Sequence, residues 1–450
     1  MRVAVLADIG QPVYHVGDEA IAHAVHDELR ARGVRPVLLT RDVRHTRTYF
    51  GPVSATPTLA FPWGPLDREE YLAAIEATLT GAAAPLPASD PAHAFIETLR
   101  GVDAVLIAGG GSLTSRYGWL MYERIAAGLI ARHLGKPVVV TGQTVGPELL
   151  AHDRAELGRL LTSCALVSLR EHYSVRTARA LAPGHRALVG GLDDAAAWRL
   201  GVTAPAPRAG RPPRIVATLA PQTGSLPPSE AAPLLAGLLD GLAAQTGARV
   251  DLLPHMALPG RPDGDLAFNT QVAAASRSGR LHPCELPTAR EAADAVLGAD
   301  LVITSRYHPA VFGVMRGVPV FALAPDHYAD VRLDGALSHH GLGGWAVPVE
   351  ALGTGAAADA LAATWDDRER IRAHLAATAG GLLAAHARRW DDLVSALSGA
   401  VPHPGEWVPA PALAPPDAVT RARAVHLAGL RRASRALLDA MEAERSAALA

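Results

Sequence analysis

Short β-rich apolar runs recur along this chain at intervals long enough for a helix, and most of them end in glycine, charged or polar residues. Strands buried on both faces read as unbroken apolar runs, and parallel strands need a crossover between them. The rhythm therefore limits the chain to doubly wound α/β units. In the first half the runs lie at 2–7, 35–39, 103–108, 137–141, 164–169 and 186–189, with helical patterns at 18–32, 119–134, 148–162 and 173–182. Residues 41–92 interrupt the pattern as an irregular, Pro- and Thr-rich insertion, and Tyr49, Phe50, Phe61 and Trp63 favour a functional loop there over a disordered one.

At about 150 residues per domain, 450 residues allow two or three domains. Residues 1–200 read as a Rossmann-like domain and 201–214 (GVTAPAPRAGRPPR) as a linker without apolar periodicity. The pattern restarts over 215–400, with strands at 214–219, 249–253, 301–304 and 318–323. Helices are expected at 228–246, 288–298, 309–316, 355–366, 368–379 and 382–398. A Pro-rich linker follows at 401–416, then an amphipathic helix at 417–450. That helix carries Leu427, Leu430, Leu437, Leu438 and Met441, flanked by Arg421, Arg423, Arg431, Arg432 and Arg435. Docking across both domains is the expected role, with peripheral membrane contact the alternative.

Charge narrows the partners. Forty-two basic residues against 44 acidic ones leave a net charge of −2, which provides no field to attract nucleic acid. Two cysteines, Cys164 and Cys284, cannot form a disulfide framework, and no Cys/His pattern points to a metal. MRVAVLAD is too short for a signal peptide and no run approaches a membrane span, so a cytoplasmic protein is expected. Lys136 is the sole lysine. Any bound anion must therefore be held by arginine, histidine or backbone N–H, and arginine's planar fork suits carboxylates and phosphates.

In doubly wound sheets ligands bind beyond the carboxyl ends of strands. There LVITSRYHP offers Arg306, Tyr307 and His308 beside a helix start at Pro309. VLIAGGGS supplies Gly109, Gly110, Gly111 and Ser112, a turn whose backbone a ligand can approach. LVSLREHYS ends in Arg170-Glu171, with Ser174 placed to cap a helix, and GGLDDAA ends in Asp193 and Asp194. One of these aspartates suits a base better than a metal ligand. Asp18 in HVGDEAI stands at a helix start, where capping alone would explain it; Gln143 and His255 are further polar strand ends, while His339 and His340 read as surface residues.

Taken in order, GDEAI, AGGGSL, TGQTVGP, SLRE, GLDDAA and SRYHPAVFGVMRGVP resemble the polysaccharide pyruvyl transferase family over roughly residues 1–330. The resemblance implies two Rossmann-like domains facing a cleft, similar to GT-B glycosyltransferases. It implies transfer of the pyruvyl group of phosphoenolpyruvate, as donor substrate and without cofactor or metal, to hydroxyls of a saccharide or glycoside, forming a ketal. Arg306 and His308 would then bind the donor, Arg170 would be a third anion contact, His308 a general acid, and Asp193 or Asp194 the base. Gly109–Gly111 and Asp18 would line the cleft, where Trp119 and the aromatics of 49–63 offer faces for sugar rings. The chain departs from the family pattern at His15, where an asparagine is common, at Glu171, where an aspartate is common, and after Tyr328, where a lysine gives way to nearby Arg332. Two alternatives stand beside this reading: a GT-B glycosyltransferase using a nucleotide sugar, and a catalytically silent relative that binds an anionic ligand.

Overall fold

The computed structural model describes residues 1–201 and 212–449, so most of the linker expected at 201–214 lies outside the described residues. The first domain contributes β1 (Arg2–Leu6), β2 (Tyr14–His15), β3 (Arg35–Thr40), β4 (Ala55–Pro57) and β5 (Ala104–Ile107). It continues with β6 (Gly110–Leu113), β7 (Val138–Val145), β8 (Leu166–Leu169) and β9 (Leu188–Gly190). The second contributes β10 (Arg214–Thr218), β11 (Arg249–Leu252), β12 (Met256–Ala257), β13 (Leu281–Pro283), β14 (Leu301–Thr304), β15 (Val320–Ala324) and β16 (Val347–Pro348).

Two parallel sheets result. One runs β4-β3-β1-β5-β7-β8-β9 with β6 beside β7, and the other runs β13-β11-β10-β14-β15-β16. Their central strands are buried along their whole length, as AVLI in β5 and LVIT in β14 illustrate, because helices cover both faces. A two-stranded antiparallel ribbon, β2 with β12, joins the domains through the pairs Met256↔His15 and Ala257↔Tyr14.

Three sequence expectations change. Residues 41–92 are not irregular: they hold the helix Val43–Phe50, capped by Asp42, then β4 and the helix Pro65–Thr80. Pro65 and Pro91 open helices and Pro57 lies on the edge strand, where a missing N–H costs little, while Pro52, Pro62, Pro85 and Pro87 lie in the connections. The helices expected at 368–379 and 382–398 are one, Arg368–Leu397. Gly380 and Gly381 face solvent, and Leu375, Leu382 and Trp390 bury the opposite side. This helix returns to the first domain, where Trp390 and Leu393 join the core of Val5 and Leu106, and Arg32 pairs with Asp391 at 2.8 Å.

The third change concerns which residues of the last helix, Asp417–Leu449, do the docking. It is anchored through buried Val419 and Ala422, while Leu437 is exposed. Leu427, Leu430, Arg431 and Arg432 lie outside the described side chains. Arg423 reaches Asp330 and Asp334 at 3.3 Å each in the second domain, and Arg445 reaches Glu69 at 2.8 Å in the first. No helix among the described residues is long and apolar enough to cross a membrane.

Candidate functional site

Residues just beyond strand ends of both sheets meet in one crevice: His308 after β14 reaches Asp193 after β9, and Tyr328 after β15 reaches Gly111 in β6. Arg116 of the first domain pairs with Asp326 of the second at 2.7 Å on its flank, and the β2–β12 ribbon closes another side.

At the centre stand His308 and Asp193, one from each domain, with Nε2 and Oδ1 3.7 Å apart. The helix carrying His308 starts at Tyr307, two residues before the expected Pro309, because Thr304 Oγ1 closes the turn by accepting from Arg306 N and donating to Arg306 O. On its other side the His308 ring lies against Gly17, where a Cβ would sit 1.9 Å from Nδ1. Glycine is required there for the imidazole to reach the crevice.

Arg170 is engaged inside the protein. Its side chain is 1% exposed, and both edges are spent: Nε donates to Glu171 and Thr144 at 3.0 Å each, and Nη1 to Asp193 at 2.7 Å. Burial would raise the Asp193 carboxyl, but His308 and Arg170 outweigh it and hold that group well below the usual carboxylate range. The carbonyl of Arg170 accepts from His339 Nε2 at 2.7 Å, whose Nδ1 accepts from Trp407 at 2.8 Å. Because indole only donates, His339 carries its proton on Nε2. His339 and His340 are thus buried and structural rather than on the surface.

Arg306 is half spent. Its Nε and Nη2 edge grips Asp265, which is fully buried, while the side chain keeps 23% exposure. Asp265 also accepts from the His255 N–H at 3.0 Å. His255 turns its ring inward, and burial, with His308 and Arg306 adding, lowers its affinity for a proton. Asp18 does not cap its helix. It lies 3.4 Å from His15 Nδ1 and is 25% exposed, and withdrawal from solvent raises its carboxyl above the ordinary range against the pull of His15.

The glycine turn is built from behind. Gln143, fully buried, donates to Ala108 O and accepts from Ser112 Oγ at 3.0 Å, so both residues brace the turn rather than face a ligand. Asp194 accepts from Gly109 N and from Thr141 Oγ1, both at 2.8 Å, and a side chain at Gly109 or Gly142 would collide with it. Both of its oxygens are thus engaged and it is buried. Burial beside Asp193 pushes its carboxyl up to about 7. The unfolded carboxyl ionises near pH 4 while the folded one stays protonated, so stability should fall as pH rises from about 4 to 7, by up to about 1.4 kcal/mol per pH unit. Asp194→Asn, which can accept from Gly109 N and donate to Thr141, is expected to flatten that slope in urea titrations. An unchanged slope would place the proton elsewhere.

Arg332 pairs with no carboxylate within ion-pair distance among the described residues. It hydrogen-bonds Tyr328 and lowers the Glu171 carboxyl from a distance, and its Nη1 lies 3.4 Å from where a Gly111 Cβ would be. Tyr307, stacked on Arg170 at 4.1 Å, and Tyr328 hold it, with its guanidinium 5.1 and 4.6 Å from their ring centres. Tyr328 in turn donates to Gly111 O at 2.7 Å. Asp265 and Tyr328 were not singled out as site residues in sequence; each stands in the first turn of a helix, Gly264–Ala275 and His327–His339. Among the described residues no group of His, Cys, Asp or Glu is arranged to hold a metal ion.

No curated protein sequence matches the chain at a significant level. Among solved structures it resembles a putative UDP-N-acetylglucosamine 2-epimerase from Listeria monocytogenes, at 12% identity over 90% of this chain and 99% of that one, TM-score 0.57. It also resembles S. aureus MnaA in a co-structure with UDP, at 11% identity over 88% and 96%, TM-score 0.55. A third likeness is to Anabaena HepE in complex with UDP and glucose, at 13% identity over 88% and 100%, TM-score 0.53. At such identities the likeness is one of fold, the paired Rossmann-like domains of GT-B architecture. The family model for polysaccharide pyruvyl transferase matches residues 15–327. That span takes in most of the chain and the crevice residues named above except Tyr328 and Arg332, and the chain belongs to the polysaccharide pyruvyl transferase family.

Proposed function

We propose that the crevice moves the pyruvyl group of phosphoenolpyruvate onto hydroxyls of a saccharide or glycoside acceptor and closes a ketal. Family membership supports a transferase, and the observation that carries the finer reading is the His308–Asp193 pair between the domains. His308 is the acid that protonates the donor's methylene carbon, leaving an oxocarbenium-like centre. An acceptor hydroxyl adds there while losing its proton, phosphate leaves with the C–O bonding pair, and a second hydroxyl closes the ring. Asp193 orients and charge-balances the imidazole rather than acting as the base. Asp18, partly open and with a raised carboxyl, takes the base role with His15 beside it. Arg332 and the free edge of Arg306 meet the anionic donor, and no metal or cofactor is invoked.

Arg332→Gln is expected to weaken phosphoenolpyruvate binding about 10- to 100-fold, read by calorimetry with fold checked by circular dichroism. Undiminished binding would remove Arg332 from the donor site, and a preference of the wild type for UDP-glucose would favour a glycosyltransferase. The spent edges of Arg170 and Arg306 support a second reading, a silent relative that binds an anion. Donor binding with no phosphate release across a panel of acceptors would establish it.

A further inference from the structure

Trp63 is 72% exposed, the most open of the large apolar side chains among the described residues outside the Pro-rich segment near 401–408. An indole left in water and held in one position signals a ligand more often than a scattered surface leucine does. Its ring stacks on Trp119 with centroids 3.9 Å apart. Tyr117 meets Trp119 edge-on at 5.8 Å and Tyr328 at 5.9 Å. Tyr328 is the residue that closes on the glycine turn and carries Arg332. An aromatic strip thus runs from solvent into the crevice.

The outer end of the strip is braced. Arg68, buried beneath it, donates to the Trp63 carbonyl, and its guanidinium occupies the space a Gly118 side chain would take. Pro62 and Pro65 flank the Trp63-Gly64 step, and Pro65 opens the following helix. The backbone that presents the indole is therefore ordered before any ligand arrives, which lowers the entropy lost on binding.

We propose that Trp63 and Trp119 form a subsite for a pyranose ring of an extended acceptor saccharide whose reacting end lies at Gly109–Gly111. This rests on the transfer reading only for what happens at that far end. A flat indole face complements the C–H face of a pyranose, and the Asp67 carboxylate, lying against Gly64, offers an acceptor to its hydroxyls. The helix that follows bears Asp67, Glu69, Glu70 and Glu76; Glu69 and Glu76 are paired with Arg445 and Arg159, and Asp67 and Glu70 leave its start acidic rather than basic as in membrane-surface helices.

The test is saturation-transfer NMR and calorimetry on the full chain with linear gluco-, galacto- and manno-oligosaccharides, and sedimentation with phosphatidylcholine and phosphatidylglycerol vesicles. Wild type and Trp63→Tyr should bind at least one oligosaccharide, and Trp63→Ala should bind it about tenfold more weakly with an unchanged melting temperature. Binding unaffected by Trp63→Ala, no binding to any saccharide, or Trp63-dependent binding to vesicles alone would each overturn the subsite. The readout needs no donor. Saccharide binding that depends on Trp63, in a protein inert toward phosphoenolpyruvate, would retain the subsite and sink the transfer reading.

Discussion

Arg170→Met should cost about 3–5 kcal/mol of stability, the range found when one partner of a buried ionic cluster is removed. The guanidinium is the common counter-ion of Asp193 and Glu171, both buried, and its planar fork also stacks on Tyr307. Methionine fills the volume and leaves Glu171 without its ion-pair partner and Asp193 with His308 alone. They must then take up protons or draw in water, so the loss should be largest at alkaline pH and partly recovered on acidification. Arg170→Lys should fare little better, because a point charge cannot serve Nε and Nη1 partners on two sides. Adding Glu171→Gln to Arg170→Met should restore part of the loss, and a double-mutant cycle in urea unfolding would measure it. A stable Arg170→Met protein that had lost only its affinity for phosphoenolpyruvate would return this residue to the donor site.

That prediction differs from what the sequence alone suggests, and the reason is physical. The strand ends were legible because parallel strands in a covered sheet must read as apolar runs, and polar residues just beyond them stand out. Arg170, Asp193, Arg306 and His308 were found that way and all lie at the crevice. Which of them faces a ligand depended on partners brought in from other elements. Asp193 reaches Arg170 from the next strand end, and Asp265 reaches Arg306 from a helix start 41 residues away. No local pattern reveals such a carboxylate, so an arginine spent internally and an open one look alike in one dimension. Arg332 shows the converse, a cation one helix turn beyond the matched motifs whose value lies in having Tyr307, Tyr328 and Gly111 around it. The continuous helix Arg368–Leu397 failed for a simpler reason: two exposed glycines cost about 1 kcal/mol each, less than its buried face returns.

The largest functional effect is expected at His308. In His308→Ala, phosphate release in the presence of donor and acceptor should fall about 10²- to 10⁴-fold, the range for loss of a positioned acid or base. Stability should change far less, because the imidazole makes one ion contact, to Asp193, and that carboxylate keeps Arg170. Gly17→Ala separates position from chemistry. It removes no titratable group, yet its Cβ would stand 1.9 Å from Nδ1, so the ring must swing away from Asp193 or the helix must shift. A comparable fall in turnover, with donor affinity retained, is expected if the placement of the imidazole matters. Asp193→Asn should act in the same direction, through an imidazole no longer held by a charge. If His308→Ala and Gly17→Ala both turn over at the wild-type rate, the proton reaches the methylene carbon from another group, and Asp18 with His15 is the next pair in the crevice that can deliver it.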